Sequence, residues 1–294
     1  MNITIEQNQV IVNLDEVEFP LFEAMFANLQ LNKRVQCEFR EFGFGGTSIS
    51  YKLLPMHLCR TIGEANLSAD PFATVSLYPF WKHGFAFGKD TQLSLGLDID
   101  DPHKKAVAAD EFGMGFCAWV MEEVFDCEMW ADTSALIKKG AVFPVGSKRP
   151  DFVCTFADGS LGVFEAKGTT GTAGELSGPL ADGKTQTQGI GAQAPIKYRV
   201  VVGCALGGDK TKVIIMDPEP AGLKPTNLTA DLVKRAAKQM RTPSAFGISP
   251  VHGGEKEGVT LFRGPRDATG ATREIKLTNE FKEDKGHGWL DLLK

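Results

Sequence analysis

The chain has few tyrosines, no clustered cysteines and no surplus of positive charge, and each shortage removes a class of function. Of its 294 residues 3 are Tyr against 20 Phe, so most of the aromatic surface belongs in a core rather than on a wet binding face. Lys and Arg total 32 against 37 Asp and Glu, a formal net charge of -5. No global positive field attracts nucleic acid, and any such attraction has to come from local patches. The six cysteines, Cys37, Cys59, Cys117, Cys127, Cys154 and Cys204, are widely spaced and form neither a CxxC pair nor a Cys/His cluster. They read as buried reduced thiols of a cytoplasmic protein, not as a zinc site. Met1 to Glu6 carry no basic n-region and no long apolar stretch, so they do not read as a secretory signal. The most apolar segment, Phe112 to Phe125, is broken by Gly113, Gly115, Glu122 and Glu123. It is too short and too charged to cross a bilayer, and no membrane partner is expected.

Catalytic signatures of several kinds are missing as well. There is no G-x-S-x-G elbow, which argues against a serine hydrolase. The glycine-rich runs Gly168 to Gly174 and Gly43 to Ser48 lack the Lys-Ser/Thr that completes a phosphate loop, which argues against NTP binding. His57, His83, His103, His252 and His287 are scattered among turns and Gly-rich stretches, and none makes a convincing base. No internal repeat or low-complexity tract is present.

What remains is an ordinary globular composition, 43% hydrophobic and 23% charged, with length enough for one large domain or two ordinary ones. Residues 1–103 alternate short apolar runs with Gly, Pro, Asn and Asp. Strands are expected at Val10 to Val12, Val35 to Phe39, Ser48 to Tyr51 and Ala73 to Leu77. A helix is expected over Pro20 to Leu31. This region reads as a β-rich accessory or N-terminal part, with a seam at Asp98 to Pro102. From Lys104 a helix over Ala106 to Phe125 leads into strands at Ala141 to Phe143, Asp151 to Phe156 and Leu161 to Lys167. The last two are joined by Ala157-Asp158-Gly159-Ser160, a hairpin turn in which Gly supplies positive φ. A weak helical stretch around Lys184 to Gln193 and strands at Tyr198 to Cys204 and Lys212 to Met216 follow. The order implies an α/β fold around a mixed sheet. Thr229 to Arg241 is an amphipathic helix. Residues 243–294 form a Gly- and charge-rich extension with short strands at Val259 to Arg263 and Arg273 to Leu277.

The chemistry concentrates at the hairpin. In a strand, residues i and i+2 share a face, so Glu165 and Lys167 project together while Ala166 turns into the core. The turn brings Asp151 alongside them. Two carboxylates and an ammonium at the edge of an apolar sheet suit phosphodiester hydrolysis. Carboxylate oxygens hold Mg²⁺ or Mn²⁺ with waters in place; the metal offsets charge and acidifies a water, and a lysine beside it orients that water or stabilises the phosphorane.

Pro150-Asp151 followed, after the hairpin, by Glu165-Ala166-Lys167 resembles the signature of the PD-(D/E)xK nuclease superfamily. The resemblance spans roughly Lys104 to Met216. It implies a restriction-endonuclease-like mixed sheet flanked by helices over residues 104–242, Asp151 and Glu165 as metal ligands, and Lys167 as the catalytic lysine. The family often adds an acid from the preceding helix. Glu111 matches best as a further catalytic and metal-binding residue, with Glu122 and Glu123 weaker. RecB-like members carry a Gln and a Tyr on the helix after the second core strand. Gln186, Gln188 and Gln193 fall in about that place, but Gly189 and Gly191 interrupt the helix and Tyr198 falls in the next strand. The resemblance implies a Mg²⁺- or Mn²⁺-dependent nuclease acting on nucleic acid, DNA in the first place, in defence, restriction or DNA processing. It allows a homodimer, since nucleases that cut both strands often dimerise. The alternative is a non-catalytic binding or assembly protein that keeps the nuclease fold.

Basic residues mark two surfaces for nucleic acid. Lys148 and Arg149 precede the hairpin. Lys234, Arg235, Lys238 and Arg241 share one face of the late helix by its period of about 3.6 residues. A solvated helix face is the competing explanation of that stripe.

Overall fold

The computed structural model describes residues 2–6, 9–13, 15–17, 20, 33–43, 45–66, 101–144, 148–207, 211–240, 260–266 and 272–276. The chain divides into two compact units, residues 1–30 with 241–294, and residues 31–240. In the first, β1 (Asn2–Glu6) and β2 (Gln9–Asn13) pair antiparallel, as do two late strands, Thr260–Arg266 and Thr272–Lys276. These late strands are the two expected in the tail, and the first of them lies parallel to β2 to complete a four-stranded sheet.

The second unit contains β3 (Lys33–Arg40), β4 (Ser48–Leu53), α1 (Pro55–Ala65), α2 (Pro102–Glu123), β5 (Met129–Asp132) and α3 (Thr133–Lys138). It continues with β6 (Phe152–Thr155), β7 (Leu161–Thr169), a 3₁₀ turn at Ala173–Leu176, α4 (Ser177–Gln188), β8 (Ile196–Ala205), β9 (Lys212–Met216) and α5 (Ala230–Met240). Among the described residues this is a mixed α/β unit of seven strands and five helices, with strand order β4-β3-β9-β8-β7-β6-β5. The β3–β9 and β7–β8 pairs are parallel and the others antiparallel.

The sheet runs past the boundary set at residue 103. β3 and β4 are not accessory: β3 pairs with β9 from Gln36↔Lys212 to Arg40↔Met216. Cys37 is wholly buried and Val35 and Phe39 nearly so, so strand alternation buries one face of β3 against the rest of the unit. Two further expectations, the helix over Pro20 to Leu31 (beyond Pro20 itself) and the strand at Ala73 to Leu77, fall outside the described residues. The strand expected at Ala141 to Phe143 is corrected. That segment is irregular, with Val142 N–H donating to Asn227 Oδ1 at 2.7 Å and Val142 64% exposed. A side-chain acceptor takes the place of a ladder partner there. The edge strand is Met129–Asp132, paired through Trp130↔Cys154 and Ala131↔Val153.

Helix α2 is central to the packing. Asp101 caps it by accepting Lys104 N–H at 3.0 Å, and Pro102 fills the first turn, where no N–H is needed. Every residue from Phe116 to Met121 is wholly buried, as is Phe112. A helix apolar all round lies between two layers, and α2 packs on β7 and β8 on one side and on α1 on the other. Its glycines make this possible. A Cβ on Gly115 would come within 2.1 Å of Ile62 Cγ1 of α1, and one on Gly113 within 3.0 Å of Gly168 N of β7. Each costs about 1 kcal/mol of helix propensity, which close packing of fully buried Phe112, Phe116 and Trp119 offsets at about 1.5–3 kcal/mol per side chain. No helix among the described residues is long and apolar enough to cross a membrane.

Candidate functional site

The hairpin turns at Gly159, whose φ of +79° is the left-handed conformation the sequence requires there. Its ladder ends at Phe152↔Phe164. Beyond that pair the N–H of Ala166 has no partner on β6 but is accepted by Asp151 Oδ2 at 2.8 Å. Glu165 Oε2 accepts the Asp151 N–H at 3.1 Å. These reciprocal bonds hold the two carboxyl groups at one end of adjacent strands. Thr133, at the start of α3, fixes the same corner: its N–H donates to Asp151 O at 2.9 Å and its hydroxyl to Pro150 O.

Lys167, two residues beyond Glu165 on the same face, places Nζ against Glu165 Oε1. Asp151, Glu165 and Lys167 are therefore brought together, as the strand period and the hairpin lead one to expect. Glu165 is only 1% exposed, whereas Lys167 reaches toward solvent at 22%. Burial first, and then the charge of Asp151, push the Glu165 carboxyl from 4.5 up to about 7. Burial also raises Asp151, against the pull of the Ala166 N–H and of Lys167. The carboxyl groups behave as a pair that resists carrying two negative charges. Their field reaches Cys117 on α2, a wholly buried thiol that desolvation and then Asp151 and Glu165 drive well up.

Of the acids on α2, Asp110 is the neighbour of Glu111 that acts on the site. Asp110 acts on Asp151, raising its pKa, and is itself drawn down by Lys167 after burial and Glu111 have raised it. The cause is the crossing point of α2: a Cβ on Gly168 would sit 1.7 Å from Ala109 O, so the helix touches the end of β7 at Ala109 and delivers the next residue to the site. Glu111 acts electrostatically on Asp110, and its carbonyl accepts Asn66 Nδ2 at 3.0 Å. Glu122 and Glu123 are engaged elsewhere. Glu122 meets buried His57 Nε2 at 2.7 Å and accepts Trp130 Nε1 at 2.9 Å, and Glu123 lies 3.4 Å from His57 Nδ1.

Gln186 of α4 completes the site, donating from Nε2 to Glu165 Oε1 and to Arg149 O, the latter at 3.2 Å. Gly189 does not break this helix but caps its end. One turn before Gln186, a Cβ on Gly183 would come 3.3 Å from Glu165 Cγ and 2.6 Å from Val201 Cγ1. Its absence lets α4 lie close over the carboxylate. The glycine-rich loop is occupied by its own bonds. Glu175 Oε1 accepts Thr172 N–H at 3.0 Å, Thr169 Oγ1 accepts Gly171 N–H at 3.0 Å, and Gly168 serves the contact with α2.

Lys148 and Arg149 are exposed beside the site, with Lys148 Nζ 3.6 Å from Asp182. Lys234, Arg235 and Lys238 lie on α5, away from these side-chain bonds, and Arg241 falls outside the described residues. The five cysteines whose side chains are described are free and buried. Among the described residues no group of three or more His, Cys, Asp or Glu forms a cage for a metal ion. The donor set is two adjacent carboxylates, Glu165 almost wholly buried and Asp151 half-buried, and hard oxygen donors of this kind suit Mg²⁺ or Mn²⁺. Comparison with protein-family models, curated proteins and solved structures finds no match.

Proposed function

We propose that this chain is a Mg²⁺- or Mn²⁺-dependent nuclease of the PD-(D/E)xK kind, hydrolysing phosphodiester bonds of DNA. Its seven-stranded sheet is taken as restriction-endonuclease-like. The observation that carries the reading is the joint placement of Asp151, Glu165 and Lys167 at one end of β6 and β7, with both carboxyl groups raised and Asp110 acting on Asp151. A structural ion pair gains little from a second carboxylate forced against the first. A cation site gains its charge from that crowding.

Asp151 and Glu165 would hold the metal, and the bound ion would supply Lewis acidity and a lowered water pKa. Lys167 provides a fixed positive charge beside the carboxylates, either orienting the attacking water or countering charge on the phosphoryl oxygens in the transition state. Gln186 holds Glu165 and the Arg149 carbonyl in one arrangement, so the strand ends stay in register with the helix. Burial of Glu165 keeps competing water from its carboxylate.

Incubation of supercoiled plasmid and of single-stranded DNA with the purified chain tests this, using Mg²⁺, Mn²⁺ and an EDTA control. Cleavage that needs the metal supports the nuclease. The second reading, an assembly protein keeping the fold, draws on the lack of a three-ligand group among the described residues, and is the outcome if neither DNA is cut with either metal.

A further inference from the structure

Helix α5 carries an unused charged face. Leu232, Val233, Ala236, Ala237 and Met240 are buried, while Lys234, Arg235 and Lys238 line, with Thr229 and Asp231, a groove of about 510 Å³. Lys234 is 2.9 Å from Glu128 Oε2, an exposed pair of small energetic weight. Arg235 and Lys238 are exposed and make no ion pair among the described residues.

The register of the sheet fixes where this face points. α5 covers β5 and β6. Trp130 and Phe152 point to the α2 side, where Trp130 meets Glu122. Ala131 and Val153 are wholly buried on the opposite face, which by the pairings Ala131↔Val153↔Val163 is also the face of Glu165. α4 lies on that face, since a Cβ on its Gly183 would come 3.3 Å from Glu165 Cγ. The segment leading out of α4 donates from Gln193 N–H to Leu228 O just before α5, so α5 starts on the side of the sheet that carries the candidate site. Its direction follows from its two ends. Leu228 O, just before the helix, accepts Gln193 N–H at 3.1 Å, close to Pro195 and the start of β7. At the other end Met240 Sδ accepts Asp132 N–H at 3.2 Å, and Asp132 pairs with Phe152, the residue after Asp151. The cations climb from the hairpin end of the sheet toward the carboxylates. Lys234 and Lys238 differ in height by about 6 Å, on the scale of one to two phosphates along a strand.

We propose that the Lys234–Arg235–Lys238 face of α5 is a docking track for the phosphodiester backbone of a nucleic-acid strand, leading it to Asp151, Glu165 and Lys167. The proposal rests on the nuclease reading and names the substrate as a polymer gripped well beyond the scissile phosphate. Charge complementarity selects the occupant: two cations with no ion pair among the described residues and one weakly paired cation share this face, on a chain whose net charge is -5.

The test is fluorescence anisotropy on the full chain in EDTA, with duplex and single-stranded labelled DNA of about 30 nucleotides, long enough to span several phosphate contacts, titrated at several salt concentrations. Arg235→Ala/Lys238→Ala is compared with the unaltered chain and with Lys52→Ala, an exposed lysine on the far edge strand β4. The double variant should bind the duplex at least about tenfold more weakly, and its plot of log affinity against log salt should be shallower by about 2, near 0.9 for each phosphate no longer neutralised. Lys52→Ala should keep the original slope. Thermal melting of the double variant near that of the unaltered chain checks the fold. An unchanged slope and affinity in the double variant overturns the track. So does failure of the unaltered chain to bind either DNA, which would leave the face to an acidic protein partner. Cleavage of the same duplex by the unaltered chain with Mg²⁺ reports separately on the nuclease reading.

Discussion

Replacing Glu165 with Gln should shift stability in favour of the variant as the pH rises. In the folded chain burial and Asp151 push this carboxyl from 4.5 to about 7. The native state therefore binds the proton more tightly than the unfolded chain does. A carboxyl of this kind favours folding fully below pH 4.5, and that contribution is lost as the pH rises to about 7. At about 1.4 kcal/mol per pH unit, the loss across the window is about 3 kcal/mol. The attraction of Lys167 is already contained in the shifted value. Gln resembles the protonated acid in size. Its single amide oxygen, however, can accept either from Lys167 and Gln186 on the Oε1 side or from the Asp151 N–H on the Oε2 side, a cost that does not vary with pH. The assay is urea unfolding of both proteins in EDTA, from about pH 4.5 to about pH 8, which brackets the titration of the carboxyl. The stability of the variant relative to the unaltered chain should rise by about 3 kcal/mol from the acid end to the alkaline end. A stability difference that stays flat across the window would mean that Glu165 titrates as an ordinary carboxyl, and the crowding argument would fail with it.

Four further outcomes follow from the same geometry. Lys167→Ala should lower single-turnover cleavage by about 10²–10³ while calorimetric metal binding is largely kept, because an ammonium is not a ligand. Mg²⁺ affinity by calorimetry should rise between about pH 6 and about pH 8 with release of a proton, since the raised Asp151–Glu165 pair must lose one to hold the ion. Asp110→Asn should weaken metal binding more than Glu111→Gln, and equal effects would put α2 in the wrong register. Gly168→Ala should cost about 1–3 kcal/mol in unfolding experiments, because its Cβ would meet Ala109 O at 1.7 Å; an unchanged melting temperature would contradict that close approach.

The candidate hairpin is legible in the sequence because its signals are local. Gly159 sets the turn, strand period sets the faces, and Glu165 and Lys167 need only the i, i+2 rule to meet. The choice between Asp110 and Glu111 is not legible. Adjacent helix residues lie about 100° apart, and the contact that decides between them, Ala109 on Gly168, joins segments far apart in sequence. Gln186 is hard to credit from sequence because Gly189 and Gly191 resemble helix breakers, yet the helix ends at Gly189 after the glutamine has been placed. Helix α1, missing from the expected elements, does carry a start signal in Pro55 at its first position. Leu58 and Ile62 are wholly buried on it, and its partner is the glycine surface of α2, distant in sequence. β3 reads as accessory because its parallel partner β9 lies beyond the whole hairpin, and parallel pairing leaves no turn signature.

On the nuclease reading, Asp151 and Glu165 hold a divalent ion which, with Lys167, cleaves a phosphodiester bond. The most direct measurement is single-turnover cleavage of supercoiled plasmid by the unaltered chain and by Asp151→Ala, with Mg²⁺ and with EDTA. Cleavage is expected from the unaltered chain in Mg²⁺ only, and none from Asp151→Ala at matched folding. Cleavage that persists in EDTA, or in Asp151→Ala at the unaltered rate, would contradict it.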